Sequence, residues 1–334
     1  MAVERIVVIG ASAGGIEAMT TIAAGLPSSF AAPICVVIHS APSSPGTVDR
    51  ILGRAAVLPV ATAASDVRVE RGHIYVAPLD YHLVLEPGRL RLSKGPRENR
   101  SRPAIDPLFR SAAQVYGPGA IGVILTGNLD DGTAGLWAVK ERGGIAIVQD
   151  PADAQFPSMP ESAIRHVAVD HVLPVSDMAA LLARLVAAPV RESEGVMPDD
   201  LPIEVDIAKG QNAVDAGIER IGAPSVFACP ECHGVLLRIK EGHPLRFRCH
   251  TGHAYSVENL VAAVNEGIEE ALWSAMRALE EGALLIQQLS DHVQEHRDSR
   301  AAETLAAEAR HAHQHANTVR GVAVARAALK TPES

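Results

Sequence analysis

The sequence predicts an α/β protein: a doubly wound, mainly parallel sheet, followed by a small zinc-ribbon-like module and C-terminal helices. Three observations carry that class. In the first half, short Val- and Ile-rich runs without a polar face alternate with helical stretches, the pattern of strands buried on both sides. Of the 4 cysteines, all but Cys35 fall between residues 229 and 249. Beyond Ser256 the chain is nearly free of proline and rich in Ala, Glu and Leu, as long helices require.

At about 100–200 residues per domain, the 334 residues suggest two or three domains. An α/β domain is expected over 1–188, with strands at 5–9, 34–38, 121–125 and 145–148. Helices are expected between them, at 15–24 and 132–142 among others. Residues 74–93 read differently. They break at Pro78 and at Glu86-Pro87-Gly88, which marks an antiparallel ribbon. Periodicity stops near 187–202, where Pro, Glu, Ser and Asp dominate, so a linker is expected over 189–222. A metal-binding module follows over 223–256, then long helices over 257–330 with an interruption near 296–299.

Composition excludes several function classes. The formal charge is -9, most of it beyond residue 190, which is the opposite of a nucleic-acid footprint. Aromatics make up 3%, too few for base stacking. No apolar run approaches the roughly 18 residues of a membrane span, so no membrane insertion is expected. The N-terminus enters a strand-like run directly, which argues against a signal peptide. With no secreted disulfide pattern, the expected location is cytoplasmic.

The first strand ends in 10-GASAGG-15 and a helix follows. Such a turn often cradles phosphate. Here the dinucleotide fingerprint fails at Ser12, and a P-loop fails because Ile16 and Glu17 follow Gly15. In a parallel sheet the C-terminal strand ends share the ligand-binding edge. Ser12 and His39 each lie just past such an end. A serine on a tight glycine turn exposes its hydroxyl. A nearby histidine can take its proton, and N–H groups at the helix start can hold an oxyanion. Asp130 and Asp131, after the strand at 121–125, are both candidates to orient the imidazole. Each residue alone has a plainer role as a cap or loop residue. Together at one edge they point to acyl transfer.

The segments 7-VVIGASAGG-15, 36-VVIHS-40, 75-YVAPLDYHL-83, 95-GPRENRSRPAIDPLFRSAA-113, 123-VILTGNLDDGTAG-135 and 149-QDPADAQFPSMPESAI-164 resemble the catalytic domain of the chemotaxis protein-glutamate methylesterases. The likeness covers most of residues 1–185, in order. It implies hydrolysis of glutamyl 5-methyl esters on chemoreceptors, often with glutamine deamidation. It implies Ser12 as nucleophile, His39 as base, and Asp131 rather than Asp130 as the orienting carboxylate. No cofactor is implied for the catalysis. Asn99, Arg102 and Asp106 match the family pattern and are expected to shape the site. Ser101 stands where a histidine is common. The family's usual Gly-Met-Gly-Asn is here Gly127-Asn128-Leu129-Asp130, where Asn128 is a candidate oxyanion donor. The phospho-acceptor receiver domain is not expected, because the resemblance starts near residue 1. The expected partners are a methylated chemoreceptor or related signalling protein, with a methyltransferase or other two-component protein as further candidates.

Residues 229–253 read C-P-E-C, then sixteen residues, then C-H-T-G-H. Zinc takes four sulfur or nitrogen ligands in a tetrahedron, and a Cys-x-x-Cys knuckle supplies two. Cys229, Cys232, Cys249 and His253 are the expected set for a structural zinc. His250 and His233 are alternatives for the fourth place. Beyond it, Leu272, Leu279, Ile286 and Val293 recur every seventh residue, as do Leu305, Ala312 and Val319. That spacing implies helix packing, as an intramolecular hairpin ahead of a homodimer. The competing class is a non-catalytic signalling scaffold that keeps the fold and binds partners through its tail.

Overall fold

The computed structural model describes residues 5–39, 46–190, 200–240, 244–296 and 299–328. The chain divides into two compact units, Met1–Leu260 and Val261–Ser334. In chain order the first holds β1 (Ile6–Ala11), α1 (Gly15–Gly25), β2 (Ile34–Ile38), α2 (Val48–Ala55), β3 (Val60–Thr62), β4 (Ile74–Val76), β5 (His82–Glu86), β6 (Arg89–Ser93) and α3 (Ile105–Tyr116). Next come β7 (Ala120–Ile124), α4 (Thr133–Glu141), β8 (Ile145–Gln149), α5 (Ser158–His166), β9 (His171–Leu173) and α6 (Val175–Ala187). The rest is α7 (Asp200–Ala208), α8 (Ala213–Ala216), α9 (Ile218–Ile221), β10 (Gly222–Ala228), β11 (Val235–Ile239), β12 (Arg246–Cys249) and β13 (Ala254–Ser256). Two long helices end the chain, α10 (Val257–Glu295) and α11 (Ser299–Ala328).

Seven strands form one parallel sheet in the order β3-β4-β2-β1-β7-β8-β9. The centre of that sheet explains the unbroken apolar runs. Ile6 and Val8 of β1 pack into a layer with Leu108, Phe109 and Leu136. Val7 and Ile9 pack into the opposite layer with Met19, Ile22 and Leu182. A strand covered on both faces has no position for a polar residue. β1 lies between β2 and β7, which the chain reaches in opposite directions. The crevice at such a reversal is where open α/β sheets bind ligands.

The ribbon expectation for 74–93 holds only in part. β5 and β6 pair antiparallel, Glu86 with Arg89, but Ile74–Val76 joins the parallel sheet beside β2. Pro78 breaks the chain between the two, and all three residues of β4 are buried as a sheet member requires. β3 and β9 are three-residue strands, too short to show a period.

The expected linker over 189–222 carries structure. Residues 191–199 of it lie outside the described residues, but α7, α8 and α9 occupy 200–221. Leu201, Val205 and Ala208 of α7 join the main core, while Ile203 and Ile207 join a second cluster with Ile218, Ile221 and Ile239. The buried acidic residues of α7, Asp200 and Glu204, pair with Arg246 of β12. Burying Leu201 and Val205 contributes about 1.5–3 kcal/mol each, which a free linker would forgo. The cysteine-bearing strands follow as an antiparallel meander, β10-β11-β12-β13, in the same compact unit. They are therefore not a separate bead on a string.

In the second unit, α10 from residue 261 and α11 form an antiparallel hairpin. Ser290 Oγ donates to Ala302 O at 2.8 Å, Arg320 pairs with Glu280, and Arg326 Nη2 donates to Asn265 Oδ1 at 2.8 Å. The sevenfold rows are half-buried. Between them lie the fully buried Ala283, Ser290, Ala302, Ala309, Ala316 and Ala323. Small residues at these places let the two backbones approach closely. Among the described residues no helix is long and apolar enough to cross a membrane.

Candidate active site and metal centre

Register alone places the first two site residues. Ala11 pairs with Ile38 at the ends of β1 and β2, and the His39 N–H donates to Ala11 O at 3.0 Å. Ser12 and His39 thus follow adjacent strand ends. The Ser12 N–H donates to Thr126 O at 3.0 Å, which ties it to the loop after β7. A β-carbon at Gly127 would stand 2.7 Å from Ser12 Cβ and would also strike Met159. Glycine is therefore required there for the loop to lie against the serine. Ser12 is half-buried, so its side chain remains reachable.

The same loop delivers Asp131. His39 Nε2 lies 2.7 Å from Asp131 Oδ2, with Asp131 3% exposed. Asp131 Oδ2 also accepts from the Ile105 N–H at 2.7 Å, and Oδ1 accepts from Asn99 Nδ2 at 2.8 Å. Burial opposes its charge, but the bonds from His39, Ile105 and Asn99 outweigh burial and hold the carboxyl below its ordinary range. Asp106 is the contrasting neighbour. Burial, with the Asp131 charge beside it, pushes its carboxyl up to about 8. It accepts from the Gly135 N–H at 2.6 Å and from Asn99 Nδ2 at 3.0 Å. Asp131 is the charged member of this pair, as an orienting carboxylate must be.

Asp130 does not face His39. Its Oδ1 accepts from Ser256 Oγ and Asn259 Nδ2, both at 2.6 Å. Ser256 in turn caps the start of α10, accepting from the Asn259 N–H at 3.1 Å. Burial raises Asp130 to about 6, against the Ser256 bond that favours its charge. The altered loop Asn128-Leu129-Asp130 is thus part of a clasp on the cysteine-bearing segment. Asn128 itself is exposed. Leu129 takes φ +61, a left-handed conformation where the resembled pattern carries glycine. Arg102 pairs with Asp80 at 2.7 Å, not with Asp106.

The four expected metal ligands come together. Their donor atoms all lie within 4.8 Å of one another. Cys232 Sγ is 3.6 Å from Cys249 Sγ, and His253 Nδ1 is 3.7 Å from both Cys229 Sγ and Cys249 Sγ. A tetrahedral zinc about 2.3 Å from each sulfur needs sulfur–sulfur edges of about 3.8 Å. The donor set and its edges fit zinc. His253 Nε2 faces Glu231 Oε2 at 3.5 Å, and Tyr255 donates to Glu231 at 2.9 Å. A carboxylate behind a histidine ligand fixes its ring, as at other zinc sites. Gly252 makes the turn between Cys249 and His253 at φ +106, with its N–H donating to Cys249 O at 2.9 Å. His250 and His233 lie outside the cluster of four donors.

Comparison with known proteins bears on this arrangement. The sequence model described as CheB methylesterase matches residues 7–182, just over half of the chain. The chain belongs to the CheB methylesterase family. A Leptospira interrogans protein is 46% identical over 180 residues, covering 54% of this chain and 93% of its own length. It carries a provisional protein-glutamate methylesterase/protein-glutamine glutaminase name. Protein-glutamate methylesterase FrzG of Myxococcus xanthus is 38% identical over 182 residues, covering 54% of each chain. The crystal structure of the Thermotoga maritima CheB methylesterase catalytic domain is 37% identical, with a TM-score of 0.53. It covers 55% of this chain and 99% of that one.

Beside the CheB methylesterase domain, and partly beyond its matched residues 7–182, several residues around the site escape a reading of spacing. Glu98, Arg110, Glu204, Arg246 and Arg248 are all buried and mutually paired. Only the alternation of Arg246 and Arg248 before Cys249 hints that one face of β12 is charged and inward.

Proposed function

We propose that this chain is a protein-glutamate methylesterase that hydrolyses glutamyl 5-methyl esters on a chemoreceptor or related signalling protein. Glutamine deamidation at the same centre follows from the same chemistry with ammonia as the leaving group. Ser12 Oγ attacks the ester carbonyl while His39 takes its proton. Nε2 of His39 is engaged by Asp131, so Nδ1 is the nitrogen turned to this task. The Ala13 and Gly14 N–H groups, at the start of α1, stabilise the oxyanion. His39 then returns the proton to the departing methoxide, methanol leaves, and water cleaves the Ser12 ester by the reverse sequence. Asp131 holds the imidazole tautomer and balances its positive charge.

The observation that carries this reading is the 2.7 Å His39–Asp131 pair, with its buried carboxylate, at the strand ends beside Ser12. We assign the catalytic domain to residues 1–188. Zinc on Cys229, Cys232, Cys249 and His253 serves as a structural cross-link and takes no part in a chemical step. The test is methanol release from a methylated chemoreceptor cytoplasmic segment. The wild-type chain releases methanol and Ser12→Ala does not. A silent wild-type chain on every methylated receptor offered would favour the scaffold.

A further inference from the structure

Asn99 is the point where the cysteine-bearing meander meets the ester-hydrolysing site. Its Nδ2 donates to Asp131 Oδ1 at 2.8 Å and to Asp106 Oδ2 at 3.0 Å, while its Oδ1 accepts from the Ser256 N–H at 2.9 Å. Its own N–H donates to Ala254 O at 2.8 Å. One side chain therefore links β13 to the aspartate that orients His39. The backbone confirms that this loop is held from outside. Asn99 and Arg100 take φ +48 and +66, left-handed values that Asn tolerates but that an arginine keeps only when its surroundings impose them. Glu98, just before them, is buried and pairs with Arg110 and, at 2.9 Å, with Arg248.

Both restraints come from the β12–β13 hairpin. Arg248 is the residue before Cys249, and Ala254 follows His253. The hairpin turn thus carries two of the four metal ligands, with the groups that hold Glu98 and Asn99 directly on either side. Cys229 and Cys232, from the turn between β10 and β11, close the cluster. A metal there would lock the hairpin in the one geometry that presents Arg248, Ala254 and Ser256 to the 98–101 loop.

We propose that Asn99 is a positioning residue for Asp131, and that metal loading of the Cys229, Cys232, Cys249 and His253 cluster sets the turnover of the ester site through it. The proposal rests on the two readings made under the proposed function. Without the metal the hairpin loosens, Asn99 relaxes from its left-handed conformation, and Asp131 loses the donor on Oδ1. A displacement of about 1 Å in such a constellation lowers turnover about 100-fold.

The test uses the full chain loaded with zinc. Asn99→Asp keeps the shape and the tolerance for left-handed backbone but turns an acceptor toward two carboxylates. It should lower kcat about 100-fold with KM changed less than threefold and zinc content unchanged. The downfield proton resonance of the His39–Asp131 hydrogen bond should be lost with it. Stripping zinc from the wild type with a chelator should give the same kcat loss and the same spectral change, and added zinc should restore both. Zinc removal that leaves kcat and the resonance intact overturns the proposal, as does full kcat in Asn99→Asp. A wild-type chain that hydrolyses no ester sinks the catalytic reading instead, and the zinc response of the resonance still decides the link. A chain that takes up no zinc overturns the metal half, and Asn99→Asp alone then decides the role of Asn99.

Discussion

Replacing Glu204 by glutamine isolates the energetics that join the meander to the α/β core. Glu204 lies on α7, buried among Arg246 at 2.5 Å, Arg248 at 3.1 Å and Arg110 at 3.6 Å. With Glu98 and Asp200 the group holds three guanidinium ions and three carboxylates. Burial works against the Glu204 charge, but the three arginines hold its carboxyl far below the usual range. Glu204→Gln keeps the volume and leaves one buried positive charge without a counter-ion. Breaking a buried pair in this way costs about 3–5 kcal/mol. At about 2–4 °C per kcal/mol for a domain of this size, the first unit should melt about 10 °C lower. Calorimetry on the full chain at pH 7 reads the effect. Because the folded-state pKa is depressed, the stabilisation is complete above the unfolded value of about 4.3 and is lost as pH falls below it. The gap between wild type and variant should therefore be full at pH 7 and narrow below about pH 4. A gap under about 1 kcal/mol at pH 7, or one that widens in acid, refutes the reasoning.

Asp131→Asn should lower kcat by about 10⁴ while the fold is retained, because the amide favours the wrong imidazole tautomer; steady-state methanol release reads it, and a loss under tenfold would remove Asp131 from its role. Cys229→Ser should carry well under one zinc per chain by elemental analysis, and undiminished zinc would remove Cys229 from the ligand set. A chain ended at residue 190 loses α7 and both buried arginines of β12, which uncovers the core face that Leu201 and Val205 cover and leaves the Glu98–Arg110 pair without its further partners. It should be poorly soluble or melt far below the full chain, and equal melting temperatures would show the two parts to be independent.

The sheet was legible because its strands are covered on both faces, so Ile34–Ile38 and Ile121 onward read as uninterrupted apolar runs. β3 and β9 were not, since three residues carry no period. Ile74–Val76 reads as ribbon because nothing local distinguishes a parallel edge from the start of a hairpin. The Pro- and Asp-rich approach to α7 reads as a linker, yet Leu201, Ile203, Val205 and Ile207 of α7 are buried by partners distant in sequence. The site divides the same way. Ser12 and His39 could be placed from strand ends alone, whereas choosing Asp131 over Asp130 needed the family resemblance. The clasp of Asp130 on Ser256 and Asn259 spans well over a hundred residues and leaves no local signature. Seven-residue spacing announced the α10–α11 hairpin, while its intervening alanines were hidden by the alanine-rich background.

The central claim is that Ser12 and His39 act as one catalytic unit at this sheet edge. Its most direct test compares kcat for methanol release in Ser12→Ala, His39→Ala and the double variant. Residues that act together are strongly non-additive, so once one is gone the other contributes nothing more. The account predicts that both single variants lose several powers of ten and that the double variant is no slower than Ser12→Ala. A double variant whose losses multiply, or a Ser12→Ala chain that still turns over at the wild-type rate, would contradict it.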